Sequence, residues 1–422
     1  MLHPRLIAAL SAACLLSLAA CTAAKTPARL DEASLEAKAM AIHDRILSLD
    51  THADTPGNML RPNWDIGRRH VAGQPGSGQI DLPRMKEGRL DALFFAAFVG
   101  QGPLTAEAYA KARDRAFLQI EAVDKMCAAY PQLIGKAATP AEAFRLKKDG
   151  RLAAFVGLEN GYPIGTDLSL VEAFARRGVR YITLCHSADN QICDSATDRR
   201  DPEDRGLSDF GREVVAACNR RGIMVDVSHI SDRSFFDVLR ASRAPVIATH
   251  SCCRALCDNP RNLSDEMIRA LARNGGVLQV CFLSGYLRPP KPNPEREKAL
   301  KDLEAKYGPR RSLAAVADEG LRAKAMAEYQ AVNRNFPEER ATVSDIADHI
   351  DHIVKLVGLD HVGIGTDFDG GGGVDGCSDV SEMFRVTVEL LRRGYVEAQV
   401  RKIWGENTMR VLGKVIEIAE KS

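Results

Sequence analysis

Short β-rich runs alternate with amphipathic helical stretches along most of the chain, and this alternation constrains the fold more than any other feature. Eight runs stand out: Ile46 to His52, Leu90 to Phe98, Leu152 to Glu159, Val179 to His186, Ile223 to His229, Pro245 to His250, Gly276 to Phe282 and His361 to Asp367. The stretches between them carry helix signals. Leu207, Phe210, Val214, Val215 and Cys218 fall at helical spacing with Gly222 just beyond, and Ser231 is a good N-cap for the stretch holding Phe235, Val238 and Leu239. Strands separated by helices pair in parallel, and eight of them close on themselves. The expected fold is therefore α/β, a (β/α)8 TIM barrel.

Three connections are long: Thr55 to Arg89, Gly100 to Arg151 and Leu287 to Asp360. The last opens on Pro289, Pro290, Pro292 and Pro294 and becomes a charged, alanine-rich segment around Glu295 to Gln330. It predicts a helical insertion, 287–340, between strands seven and eight. As a solvated helix pair it would be inert; as a lid it would hang over the end of the barrel where such folds keep their sites.

The N-terminus reads as an export signal, with Arg5, an apolar run from Leu6 to Leu18, and then Leu18-Ala19-Ala20-Cys21. The run is too short to span a bilayer comfortably. Leu-Ala-Ala-Cys resembles the lipobox of bacterial lipoproteins, whose cysteine is lipidated, so membrane attachment through Cys21 is expected, in the periplasm or at the outer membrane. The expected organisation is a signal over 1–20, a linker and helix over 21–45, and the barrel over 46–422. Lysine plus arginine total 57 against 56 acidic residues, a net charge of +1, which gives no electrostatic reason to expect nucleic acid. A small ligand is expected instead. Without Cys14 and Cys21, nine of the eleven cysteines remain, an odd number without zinc-ribbon spacing, and most are expected to be small buried hydrophobes.

Metal-ligand residue types close six of the eight runs: Asp50-Thr51-His52-Ala53-Asp54, Gly157-Leu158-Glu159, Thr183-Leu184-Cys185-His186, Asp226-Val227-Ser228-His229, Ala248-Thr249-His250 and Gly365-Thr366-Asp367. Singly each is a weak signal. The pleat puts His52 and Asp54 on one side of a strand, but such pairs are common, and a lone His229 or His250 is more often a hydrogen-bonded core histidine. Convergence changes the weight, because a closed parallel barrel brings all carboxyl ends to one mouth with neighbouring strands about 4.8 Å apart. Imidazole and carboxylate without thiolate suit zinc, ahead of manganese, iron or cobalt. The set is too large for one ion that must keep a position open for water, and suits two ions about 3.5–4 Å apart sharing a carboxylate.

The motifs in combination resemble the membrane dipeptidase (renal dipeptidase-like) family of the amidohydrolase superfamily, over about Ile46 to Leu412. Besides the strand ends they include Ile80-Asp81-Leu82-Pro83-Arg84, Gly157-Leu158-Glu159-Asn160-Gly161, Tyr181-Ile182-Thr183-Leu184-Cys185-His186, His250-Ser251 followed by Pro260-Arg261-Asn262, and Gly365-Thr366-Asp367-Phe368-Asp369-Gly370. The resemblance implies two zinc ions per chain, with His52 and Asp54 on one, His229 and His250 on the other, and Glu159 bridging. It implies that His186 polarises the substrate carbonyl, that Asp367 takes the proton from the bridging water and delivers it to the leaving amine, and that Arg261 pairs with the substrate's terminal carboxylate while Tyr286 lines the same pocket. The implied activity is hydrolysis of dipeptides with broad L-Xaa-Xaa specificity, leaving open a D residue at the C-terminal position. Another amidohydrolase reaction, on a β-lactam or an N-acyl amino acid, and an inactive lipid-anchored binding protein are the alternatives; a homodimer is compatible with either. Cys252, Cys253 and Cys281 depart from the residues common in bacterial relatives, and are expected to alter the polarity of the pocket wall.

Overall fold

The ring of strands is built as the alternation predicts. β1 (Leu49–Ala53), β2 (Ala92–Phe98), β3 (Ile134–Lys136), β4 (Leu152–Glu159), β5 (Val179–Thr183), β6 (Met224–Asp226), β7 (Ile247–Ser251), β8 (Val277–Val280) and β9 (Val362–Ile364) form one parallel sheet in the order β1-β2-β4-β5-β6-β7-β8-β9. The seam from β9 back to β1 is made at the mouth: Asp367 N donates to His52 O at 3.0 Å and Asp54 N to Phe368 O at 2.9 Å. The computed structural model describes residues 31–421 apart from 72–73, 75, 199, 201–202 and 309–317. The expected export signal and Cys21 lie outside the described residues, within which no helix is long and apolar enough to cross a membrane.

β3 has no counterpart among the eight expected runs. It is three residues long, too short to show alternation, and pairs Ile134 with Leu152 along the part of β4 that β5 leaves free. The helix signals fare better. Ser231 Oγ accepts from Ser234 N at the start of the helix Asp232–Ala241, and Gly222 ends the helix Asp209–Arg221 at φ 66°, a left-handed conformation that glycine adopts without steric cost.

Inside the barrel, Phe94, Phe155 and Tyr181 pack ring on ring, with centroids 4.6 Å apart for Phe94–Phe155 and 5.4 Å for Phe94–Tyr181. Gly157 makes this possible, because a Cβ there would meet the Tyr181 ring at 2.0 Å. Two residues further along the same face of β4 comes Glu159, so the pleat that buries Phe155 also delivers a carboxylate to the mouth. Met409, Leu412 and Val415 of the helix Asn407–Glu420 join the barrel-interior cluster.

The expected insertion contains two helices, Pro294–Tyr307 and Glu319–Asn335, packed on each other around Leu303, Ala325, Tyr329 and Val332. That small cluster is separate from the main core, and no described residue of the pair lines the cavity at the barrel mouth. The structure thus supports the solvated helix pair and not the lid.

The helix Glu32–Arg45 brings His43 into the core beside the Trp404 ring, centroids 4.7 Å apart. Thr387 Oγ1 accepts from Trp404 Nε1 at 2.7 Å, and so spends its own hydrogen on His43 Nε2, also at 2.7 Å. His43 Nδ1–H then donates to Arg89 O at 3.1 Å, and the ring is neutral. Burial pushes its pKa from 6.5 down to about 4. A proton therefore favours the unfolded chain: the stability held by a neutral His43 is complete above about 6.5 and is lost as pH falls toward 4, by up to about 3 kcal/mol. Denaturant unfolding across that window should show a shallower dependence on pH in His43→Gln than in the wild type. Equal slopes would remove His43 as the cause.

Candidate metal centre

At the carboxyl ends of the strands, six side chains converge around Glu159. Its Oε2 faces His52 Nε2 at 3.4 Å, and its Oε1 faces His229, His250 and His186 Nε2 at 3.1, 3.5 and 3.6 Å. His229 and His250 Nε2 lie 2.8 Å apart. Asp54 and Asp367 complete a second group with His52, ligand atoms within 4.8 Å of one another. Every residue expected as ligand, proton relay or carbonyl polariser is in this cluster. Distance does not separate the roles, since His186 approaches Glu159 as the other histidines do and Asp367 groups with His52 and Asp54.

Several of these residues sit just past the hydrogen-bonded strands rather than on them. His186, His229 and Asp367 each follow a strand end by three residues. His229 and Asp367 adopt φ of 71° and 60°, which non-glycine residues hold at a cost of order 1–3 kcal/mol each when their surroundings insist. For Asp367 the surroundings are visible: its carbonyl accepts from the N–H groups of Gly370, Gly371 and Gly372 at 3.1, 3.0 and 2.7 Å.

The donor chemistry of the cluster can be compared with what a metal ion requires. His52 Nε2, Asp54 Oδ1, Glu159 Oε2 and His229 Nδ1 are buried without a hydrogen-bond partner. Each such atom costs about 1–3 kcal/mol if left so, and a nitrogen–oxygen donor set of this kind matches a divalent metal, zinc above others. The residues fit the group. Charge within the cluster is arranged accordingly. Burial opposes a charged His52, but Glu159 carries it up to about 10; burial opposes a charged Glu159, yet His52 and His186 hold it well below the usual carboxylate range. Burial pushes His250 down to about 3 and Asp367 up to about 7.

Behind the cluster, a buried carboxylate fixes a tautomer. Asp226 accepts from Thr249 Oγ1 at 2.7 Å, from Thr249 N at 2.9 Å and from Ser228 N at 3.0 Å, joining β6 to β7. Thr249 has one hydroxyl hydrogen. With that hydrogen on Asp226, its oxygen accepts from His250 Nδ1–H at 2.8 Å, and His250 Nε2 is left bare toward the cluster. Tyr181 Oη lies 2.9 Å from His52 Nδ1 and orients that ring. Asp50, lifted to about 6 by burial, ties β1 to the loop after β9 through Thr366 Oγ1 at 2.6 Å.

Above the cluster opens a cavity of about 600 Å³, whose lining includes Arg261 and Tyr286. Arg261 is buried; Nη2 donates to His250 O at 3.2 Å and Nη1 to Ser251 Oγ at 3.4 Å, while Nε has no partner. Its guanidinium carbon lies 5.3 Å from the centre of the Tyr286 ring. Tyr286 belongs to the one-turn helix Ser284–Leu287, not to the end of β8.

A profile of the membrane dipeptidase family (Peptidase family M19) matches residues 36–422. The chain belongs to that family. It is a hydrolase acting on peptide bonds. Among family relatives, the dipeptidase ataJ of Aspergillus terreus is 31% identical over 368 residues, covering 81% of this chain and 78% of its own. The crystal structure of the probable dipeptidase PvdM from Pseudomonas aeruginosa is similar at 32% identity and TM-score 0.76, over 91% of this chain and 99% of that one. A Rhodobacter sphaeroides metallopeptidase, liganded with a phosphinate mimic of L-Ala-D-Ala, is similar at 25% identity and TM-score 0.69, over 88% and 99%.

Two motifs of the peptidase prove structural. Arg84, fully buried, bonds Asp81 at 2.6 Å and Asp379 at 3.0 Å, and so pins the helix Leu82–Glu87 to the loop after β9 without reaching the cavity. The unusual cysteines do not line the cavity either. Cys252 Sγ donates to Cys281 O at 3.3 Å and Cys253 Sγ to His349 O at 3.7 Å, all in the core, so the expectation that they set the pocket's polarity is corrected. All nine described cysteines are free, and eight are buried. The residues missed by sequence reasoning are Asp226 and Thr249, already in quoted motifs but without a role, and Arg61 and Arg115, which line the cavity from the long connections.

Proposed function

We propose that the chain is a dizinc dipeptidase, and the observation that carries this is the shared Glu159 with unpartnered buried ligand atoms beside a buried arginine. His52 and Asp54 would hold one ion, His229 and His250 the other, and Glu159 would be shared between them. When bound, the metals supply Lewis acidity and lower the pKa of a water toward neutrality. The chain's own groups do the rest. Asp367, raised into the range where a carboxylate exchanges protons near neutral pH, takes a proton as the water oxygen bonds to the scissile carbon. It returns that proton to the amine nitrogen as the C–N bond breaks. His186, kept neutral by burial, with Nδ1 against Ser187 Oγ at 2.8 Å, aims Nε2 at the reacting carbonyl. Arg261 receives the terminal carboxylate through its planar fork. The phosphinate mimic on the Rhodobacter sphaeroides relative supports acceptance of a D residue at the C-terminal position.

A dipeptide library with D and L second residues, assayed on the zinc-loaded enzyme, tests the reading; absence of turnover on every member would end it. Arg261 supplies a finer check. A C-terminal amide leaves a buried guanidinium short of its partner, so the wild type should favour Ala-Ala over its amide by roughly 10²-fold in kcat/KM, and Arg261→Ala should lose most of that preference. Equal rates on the two substrates by wild type would exclude the carboxylate clamp.

A further inference from the structure

The cavity carries more positive charge than one carboxylate clamp requires. Besides Arg261, the guanidinium-bearing residues Arg61 and Arg115 line it, both exposed. Their neighbours are neutralised: Lys111 pairs with Glu107, Arg113 with Asp114, Arg68 with Asp65 and Arg69 with Glu87. Arg61 and Arg115 have no acidic partner among the described residues. The carboxylates that share the cavity are already committed. Asp54, Glu159 and Asp367 belong to the histidine cluster, and Asp369 accepts from Thr55 Oγ1 at 2.7 Å and Gln79 N at 2.6 Å.

Topology places these arginines. In the ring of eight strands, Arg261 lies on the connection after β7, sixth in order, and Arg115 lies in the helix Ala106–Ala129 after β2, second in order, so the strands they follow stand opposite each other. Arg61 follows β1, next to β2. A dipeptide whose terminal carboxylate is held by Arg261 and whose amide lies over the cluster directs its N-terminal residue to the opposite wall. The α-ammonium stays one carbon from the scissile carbonyl, whereas the carboxylate of a glutamyl side chain extends three carbons further. A cavity of about 600 Å³ has room for it.

We propose that Arg61 and Arg115 form a subsite for an anionic side chain, making the enzyme selective for dipeptides with an acidic N-terminal residue. This rests on the dipeptidase reading and deepens it. Two guanidinium groups in a partly enclosed mouth attract a carboxylate by charge-assisted hydrogen bonds, and the attraction weakens with salt where it is exposed.

The test compares kcat/KM for Glu-Ala with its neutral isostere Gln-Ala, and Ala-Glu with Ala-Gln, in wild type and in Arg61→Met/Arg115→Met. Each ratio is taken within one protein, so losses of metal or folded fraction cancel. Glu-Ala should exceed Gln-Ala by about tenfold in wild type, the ratio shrinking as salt rises and falling near one in the double variant. Cleavage of both at equal rates would overturn the subsite while leaving the dipeptidase reading intact. A preference for Ala-Glu over Ala-Gln without one for Glu-Ala would overturn the N-terminal assignment. If none of the four is cleaved, the dipeptidase reading falls and the subsite with it.

Discussion

Exchanging Glu159 for glutamine should strip metal from the centre and lower kcat/KM on a good dipeptide by ~10³ or more, since a lost Lewis acid is worth several kcal/mol. The side chain keeps its volume, so the packing along β4 is undisturbed. What changes is charge and donor pattern. Oε1 faces three imidazole nitrogens and Oε2 a fourth, all between 3.1 and 3.6 Å. An amide there turns one of its two ends into a donor, cannot serve two cations, and removes the negative charge that His52 is paired with. Elemental analysis after dialysis should show metal lost while far-UV circular dichroism and the unfolding midpoint show the barrel retained. Full metal content with near-normal turnover would contradict the bridging role.

Much of this centre is legible in the sequence because a parallel barrel converts position along the chain into position in space. The His52/Asp54 pair, Glu159, His229 and His250 are far apart in sequence, yet each ends or closely follows a β-rich run, and the carboxyl ends of such runs share one rim. The residues just past the ladder were harder to place. The runs ending in His186, His229 and Asp367 overshoot the observed strands by three residues, because the chain leaves the ladder and, at His229 and Asp367, turns left-handed to aim the side chain inward. The three-residue β3 gives no periodic signal. The Asp226–Thr249–His250 relay depends on two strands meeting at a particular register, so no spacing within either strand reveals it. Likewise Cys252, Cys253 and Cys281 look like pocket residues by their place next to His250 and after β8, whereas their side chains point into the core. The helices of the 287–340 insertion are readable from composition; their failure to reach the cavity is not, because it depends on how the pair packs outside the barrel.

Replacing Asp367 by asparagine should lower kcat by about 10²–10⁴ while KM changes little, the range for losing a positioned acid/base. The site argues for proton transfer on two grounds. Its backbone is fixed at φ 60° by three glycine N–H groups converging on its carbonyl, and its carboxylate is buried beside His52 and Asp54. Burial also lifts its pKa to about 7, against the pull of His52, which leaves it able both to accept and to release a proton near neutrality. Bound cations act in the opposite direction from burial and bring that value down. The sign of the pH effect follows: the unprotonated carboxylate is the active base, so kcat/KM falls as pH drops through an acid limb at or below about 7. The amide of the Asp367→Asn variant cannot titrate, and that limb should disappear from its residual activity. A merely structural role would lower activity equally at every pH and leave the limb in place. Measuring kcat/KM from acid to neutral pH for both proteins, with metal content checked at each point, decides between them: an unchanged limb, or kcat near the wild-type value, would move the proton relay to another group.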